Sequence, residues 1–145
     1  MSNYESATRT NYFRVKDPGA FREFMSRVYG GDEVHLWEEK NSEGAIQFGF
    51  GVYGGISGFC PPQGEEENEE CDYDYDAFLD ELQKHIADDD AVIIMEGGHE
   101  KLRHVTGCAT IVTSKAVEFL GIKELAEKRV AKILNKPDWL TRCEY

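Results

Sequence analysis

The run AVIIMEGG, residues 91–98, is the most hydrophobic segment of the chain and reads as the central strand of a sheet. Such a strand needs neighbours on both sides and other elements to cover it, so the segments around it decide the fold. Upstream, TNYFRV (residues 10–15) predicts a short strand, rich in β-branched and aromatic residues. KDPGAFREFMSRVYGG then predicts a helix with defined ends. Asp17 suits the N-cap, Pro18 the first helical position, and Gly30-Gly31 the stop, with Phe21, Phe24, Met25 and Val28 on the buried face.

EVHLWEE and AIQFGFGVYGG predict two strands joined by the hairpin loop KNSEG. Alternation places Val34, Leu36 and Glu38 on one face and His35 and Trp37 on the other, while Ile46, Phe48 and Phe50 alternate on the partner strand. A long connection, GGISGFCPPQGEEENEECDYDYD, precedes a helix expected over residues 76–87. Phe78, Leu79, Leu82 and Ile86 line one side of that helix, and Asp74 or Asp76 would cap it.

Beyond the central run, RHVTGCATIVTS predicts a strand paired to it through a turn near GGHEK, and KAVEFLGI continues as strand. KELAEKRVAKILNK predicts an amphipathic helix with Leu125, Val130, Ile133 and Leu134 turned inward, ended by Lys136-Pro137. The tail DWLTRCEY has strand-like composition and is expected at a sheet edge. The order β-α-β-β-α-β-β-α-β argues α+β, with about three helices against a mostly antiparallel sheet. The 145 residues fit one such domain, with an acidic loop inserted at about residues 61–75.

The chemistry concentrates in that insertion and the helix after it. Residues 65–90 carry 13 acids and one base, Lys84, whereas the rest of the chain has 15 of each; the whole net charge of −12 sits in this segment. Such a field argues against direct binding to nucleic acid or an anionic membrane surface, which it would repel. It favours a basic partner, a cation or simple solvation. No apolar run approaches the roughly 20 residues that span a bilayer. MSNYESATRTNYF lacks the apolar core of a signal peptide. With no CxxC pairing among Cys60, Cys71, Cys108 and Cys143, reduced cytoplasmic thiols are expected, with Cys60 and Cys71 able to clamp the acidic run only under oxidising conditions.

Motif matches elsewhere are weak. GFGVYG satisfies G-x-G-x-x-G but leads into GISGFCPPQG instead of a helix, so a bulged, bent strand is the expected use of its glycines. HEKLRH is one residue longer than the zincin spacing and sits at a turn, so no metal or other cofactor is expected. Glu96, with His99 and His104, is the one constellation that could build a small enzyme; no nucleophile is adjacent in sequence, and a non-enzymatic role is expected.

Within the acidic segment, Tyr73 and Tyr75 alternate with Asp72, Asp74 and Asp76, which disordered acidic tails do not show. If extended, those aspartates would point one way at about 6.6 Å intervals. The D-x-D-x-D start resembles an EF-hand loop, but Ala77 and Gln83 replace its glycine and final glutamate. Asp80 and Glu81 on the following helix, then Asp88, Asp89 and Asp90, extend the acidic face, with Tyr73, Tyr75 and Phe78 as candidate contact anchors. A ridge of carboxylates presents negative charge much as a duplex does, at one charge per ~1.7 Å of axis.

At TNYFRVKD, YDAFLDELQKHIADDDAVIIMEGGHEKLRHVTG and DWLTRCEY the chain resembles a family of small acidic accessory proteins from bacterial phages, plasmids and integrated elements. The resemblance spans most of the length and carries no catalytic residues. It implies an anti-defence setting, in which acidic nucleic-acid mimics block restriction or CRISPR enzymes. The expectation is therefore a cytoplasmic, non-enzymatic inhibitor of a basic nucleic-acid-binding defence nuclease, the alternative being a general interaction domain with a solvated acidic loop.

Overall fold

Thr8 and Thr10 point into the core, where a hydrophobicity pattern would place aliphatic residues. Each hydroxyl is satisfied by backbone: Thr8 Oγ1 donates to the Gly54 carbonyl at 2.7 Å, and Thr10 Oγ1 accepts from the Phe50 amide at 3.0 Å. This threonine pair defines the first strand, β1 (Glu5–Thr10), which lies upstream of the expected residues 10–15. Beyond Thr10, the TNYFRV segment makes only isolated bridges, Phe13 to Phe48 and Val15 to Ile86. A computed structural model describes residues 4–62 and 73–143. The expected acidic insertion falls largely outside the described residues, as do Asp72 and any Cys60–Cys71 pairing.

The further elements are α1 (Pro18–Met25), β2 (Val28–Gly30), β3 (His35–Lys40), β4 (Ile46–Tyr53), β5 (Ile56–Phe59), α2 (Tyr75–His85), β6 (Val92–Glu100), β7 (His104–Val112), β8 (Val117–Gly121) and α3 (Ile122–Leu134). Six strands form one sheet in the order β3-β4-β1-β6-β7-β8, and β2 pairs with β5 in a separate ribbon. Every described pairing is antiparallel, so the fold is α+β. Among the described residues, no helix is long and apolar enough to cross a membrane.

The inner face of the sheet carries Phe48, Phe50, Val52, Val92, Ile94 and Val112, all buried, and α1, α2 and the β2-β5 ribbon complete the same core. Helix α1 begins as its sequence requires: Asp17 Oδ1 accepts from the Ala20 amide at 3.1 Å. It ends at Met25, earlier than expected, because Val28 is taken into β2 opposite Phe59. In that ribbon β2 takes the end of the expected helix, and β5 lies inside what the sequence presented as a loop. Gly58 is required in it, because a Cβ there would meet the Tyr73 carbonyl oxygen, which hydrogen-bonds the Phe59 amide.

Two further expectations are corrected by packing. The glycines of GFGVYG do not form a bulge, since β4 keeps register with β3 through both Gly49 and Gly51. On α3 no residue is buried: Leu125, Ile133 and Leu134 are all exposed, Ile133 at 71%. The helix leaves the end of the edge strand β8 and packs mainly against β7 and β8, leaving most of its apolar stripe exposed. The expected tail strand is absent from residues 138–143; instead the Thr141 amide donates to Glu127 on α3 at 3.0 Å.

Phe78 is fully buried and contacts Phe24, Phe50 and Tyr75 by ring packing. Phe78→Ala is expected to cost about 3–5 kcal/mol in urea unfolding, the range for emptying a phenylalanine site. His85 stacks on Phe24 with centroids 4.9 Å apart, and burial holds its pKa below the ordinary 6.5. The unfolded chain then takes up this proton first as pH falls, so the contribution of His85 to stability is present above 6.5 and lost below it. His85→Phe is expected to gain stability relative to the parent between pH 7 and pH 5 in paired thermal melts.

Candidate functional site

The structure divides the acidic residues by what already holds them. Asp74 is consumed as the N-cap of α2, its Oδ1 accepting from the Ala77 amide at 2.9 Å. Asp90 is tied to the chain at Arg14, whose amide donates to Asp90 Oδ2 at 2.8 Å while the guanidinium lies 3.5 Å away. Asp89 pairs with Arg14 at 3.0 Å and Asp88 with Lys16 at 3.4 Å, both aspartates well exposed. Glu81 meets Lys84 at 3.1 Å and His85 at 3.9 Å. Asp76 and Asp80, one turn apart on the exposed side of α2, have no ion pair among the described residues.

The extended aspartate ridge expected from the sequence is therefore corrected. Asp74 and Asp76 sit at and just inside a helix N-terminus, where negative charge favours the helix dipole, and do not lie along a strand. The aromatic anchors are corrected as well. Phe78 belongs to the core, and Tyr75 is half-buried with its hydroxyl at Thr110, burial pushing its pKa upward. Tyr73 alone stays at the surface, 43% exposed and stacked on Phe59 at 4.6 Å.

Glu96, His99 and His104 do not meet as a set: Glu96 and His104 line one cavity of about 720 Å³ at separate points, and His99 is not part of it. The register places Glu96 opposite Cys108 and His99 opposite Val105, so Glu96 and His99 project from opposite faces of β6. His104 shares the inner side with Cys108 but lies four residues along β7, about 13 Å at the strand rise. His99 instead meets Glu5 at 3.7 Å. Cys108 Sγ lies 3.7 Å from Glu96 Oε2, and burial, reinforced by the Glu96 carboxylate, raises the thiol pKa. This is the reverse of what activates a nucleophilic cysteine. Among the described residues no three His, Cys, Asp or Glu side chains are grouped to hold a metal ion.

The sequence reading passed over the outer face of the sheet. Helix α3 covers one end of it, with Ile122 over Gly107, and the rest forms a trough of about 970 Å³ lined by residues that include Trp37, Tyr53, Met95, Leu120, Ile122 and Leu125. Hydrogen-bonded register aligns two cross-strand rows there, Gly51-Arg9-Met95-Ala109-Leu120 and Tyr53-Ala7-Gly97-Gly107. Trp37 folds over Gly51, where a Cβ would come within 2.8 Å of the indole, and the Arg9 guanidinium sits 5.0 Å from the ring centroid. His35 and Trp37 on a shared face were legible by alternation; their meeting with β6 and β7 residues depended on strand order.

No family model, curated protein or solved structure matches this chain.

Because Cys108 is shielded and held protonated while Cys60 and Cys143 are exposed, iodoacetamide at neutral pH should label Cys60 and Cys143 well before Cys108. Site-resolved mass spectrometry checks the order.

Proposed function

We propose that this chain acts without catalysis, as an inhibitor whose acidic segment occupies a basic nucleic-acid groove of a bacterial defence nuclease in the cytoplasm, in the manner of antirestriction or anti-CRISPR proteins. The supporting observation is the confinement of all net charge to residues 65–90 on an otherwise neutral chain. An acidic surface of that kind steers a basic partner into contact and gains its specificity from charge complementarity. Of the described acids, Asp76 and Asp80 support the reading most directly, because no internal cation neutralises them. Tyr73 beside them offers an exposed aromatic at the same end of α2.

The competing reading, an interaction domain whose acids only solvate it, draws on Asp74 and Asp90. Both are spent on local structure, and acids used that way need no partner.

Binding to purified restriction and Cas nuclease complexes tests the proposal. Under groove occupation, added salt weakens binding steeply and a DNA or RNA competitor displaces the protein. Asp76→Asn and Asp80→Asn each lower affinity by roughly 0.2–1 kcal/mol, the range for exposed charge pairs; Asp80→Asn leaves the melting curve unchanged, and Asp76→Asn lowers it only by the loss of one first-turn charge on α2. Asp74 is unsuitable for this test because its loss also uncaps α2. Binding that is indifferent to salt and to both substitutions favours the solvating reading.

A further inference from the structure

The outer trough combines three properties that a covered or merely solvated sheet face does not need. Its volume, about 970 Å³, lies within the range of small-molecule sites, which are concave and mostly apolar with a few polar groups. Ala7 and Gly97 project at most a methyl group, and Ile122 packs over Gly107 at the far end, so a slender molecule can lie against the strands between Tyr53 and Ile122. Arg9 supplies the one full positive charge in the lining. Its Nε donates to the Thr10 carbonyl at 3.3 Å, and its two terminal nitrogens make no hydrogen bond or ion pair among the described residues.

One acid, Glu96, is in the lining, its carboxylate on the inner side beside Cys108, and Glu5, in the next row, meets His99 at 3.7 Å. The imidazole in the lining, His35, stacks parallel to Trp37 at 6.4 Å. A guanidinium held over an indole with its terminal N–H groups open can capture a carboxylate in bidentate fashion. From the Arg9 strand to β8 there are three interstrand gaps, roughly 14 Å, over Met95, Ala109 and Leu120.

We propose that this trough binds an apolar monocarboxylate of medium chain length, its carboxylate on Arg9 and its acyl body laid across β6 and β7 toward Leu120 and Ile122. The site is separate from the acidic helix, which packs on the inner face, and does not depend on its function.

Calorimetric titration of the purified chain with octanoate, with octan-1-ol as the neutral control, tests the assignment. Saturable one-to-one octanoate binding is expected. Arg9→Gln should weaken it about ten-fold, as loss of a charge-assisted hydrogen-bonded pair does, while octan-1-ol affinity stays within about two-fold. Gly97→Leu should abolish binding of both ligands. That position has a negative φ, and the nearest atom to an added Cβ is the Thr106 carbonyl oxygen at 3.9 Å, so the leucine fills the trough without straining the strand. Circular dichroism and a thermal melt establish that both variants fold. Absence of saturable octanoate binding, an unchanged affinity in Arg9→Gln, or retained binding in Gly97→Leu overturns the proposal. So does a dimer in sedimentation that Gly97→Leu dissociates and octanoate leaves intact, since a second copy would then own the face.

Discussion

Seven of the eight phenylalanines meet on the inner side of the sheet, and the described fold is organised around their contacts. Phe21 packs edge-on to Phe13 at 5.6 Å and against Phe48 at 5.0 Å, which seats α1 on β4. Phe24 stacks on Phe78 at 5.8 Å and meets Phe59 at 5.2 Å, joining α1 to α2 and to the β2-β5 ribbon. Each such pair adds about 0.5–1.5 kcal/mol beyond area burial. Because the rings come from five separate parts of the chain, the cluster sets the relative positions of those parts.

A core concentrated on one side leaves the sheet asymmetric. Inward threonines close their hydrogen bonds on neighbouring backbone, so they cost little where they are buried. The opposite face keeps its alternation of apolar and small residues yet has no layer over most of it, with Met95 45% and Tyr53 70% exposed. Exposed apolar surface gathered into one concave patch is the kind that marks a binding surface. The two candidate surfaces of the molecule thus sit back to back, the acidic helix on the covered side and the Arg9 trough on the open one.

The same cluster explains why the described acids of residues 73–90 do not form a uniform ridge. Burying Phe78, Leu79 and Leu82 fixes the rotation of α2, and that rotation turns Asp76 and Asp80 outward while drawing Tyr75 under the sheet. At the far end, Arg14 and Lys16 follow directly on the Phe13 bridge and so face Asp88, Asp89 and Asp90. Among its described residues, what looks like one block of charge in the sequence becomes a capping residue, a set of ion pairs and a pair of unneutralised carboxylates.

Features set by near neighbours were legible in the sequence. The cap at Asp17, the Asn41 loop, the paired runs of β6 and β7, the inward set on α2 and the location of the net charge all follow from propensities and periodicities within a few residues. Tertiary structure decided the rest. The β2-β5 ribbon forms because Phe59 and Val28 are buried together across a long separation, which no local pattern records. Periodicity shows that α3 has an apolar stripe but cannot say whether anything covers it. Strand order alone placed Arg9, Trp37, Met95 and Leu120 on one surface, since hydrogen-bonded register joins residues that are up to 111 positions apart in the chain.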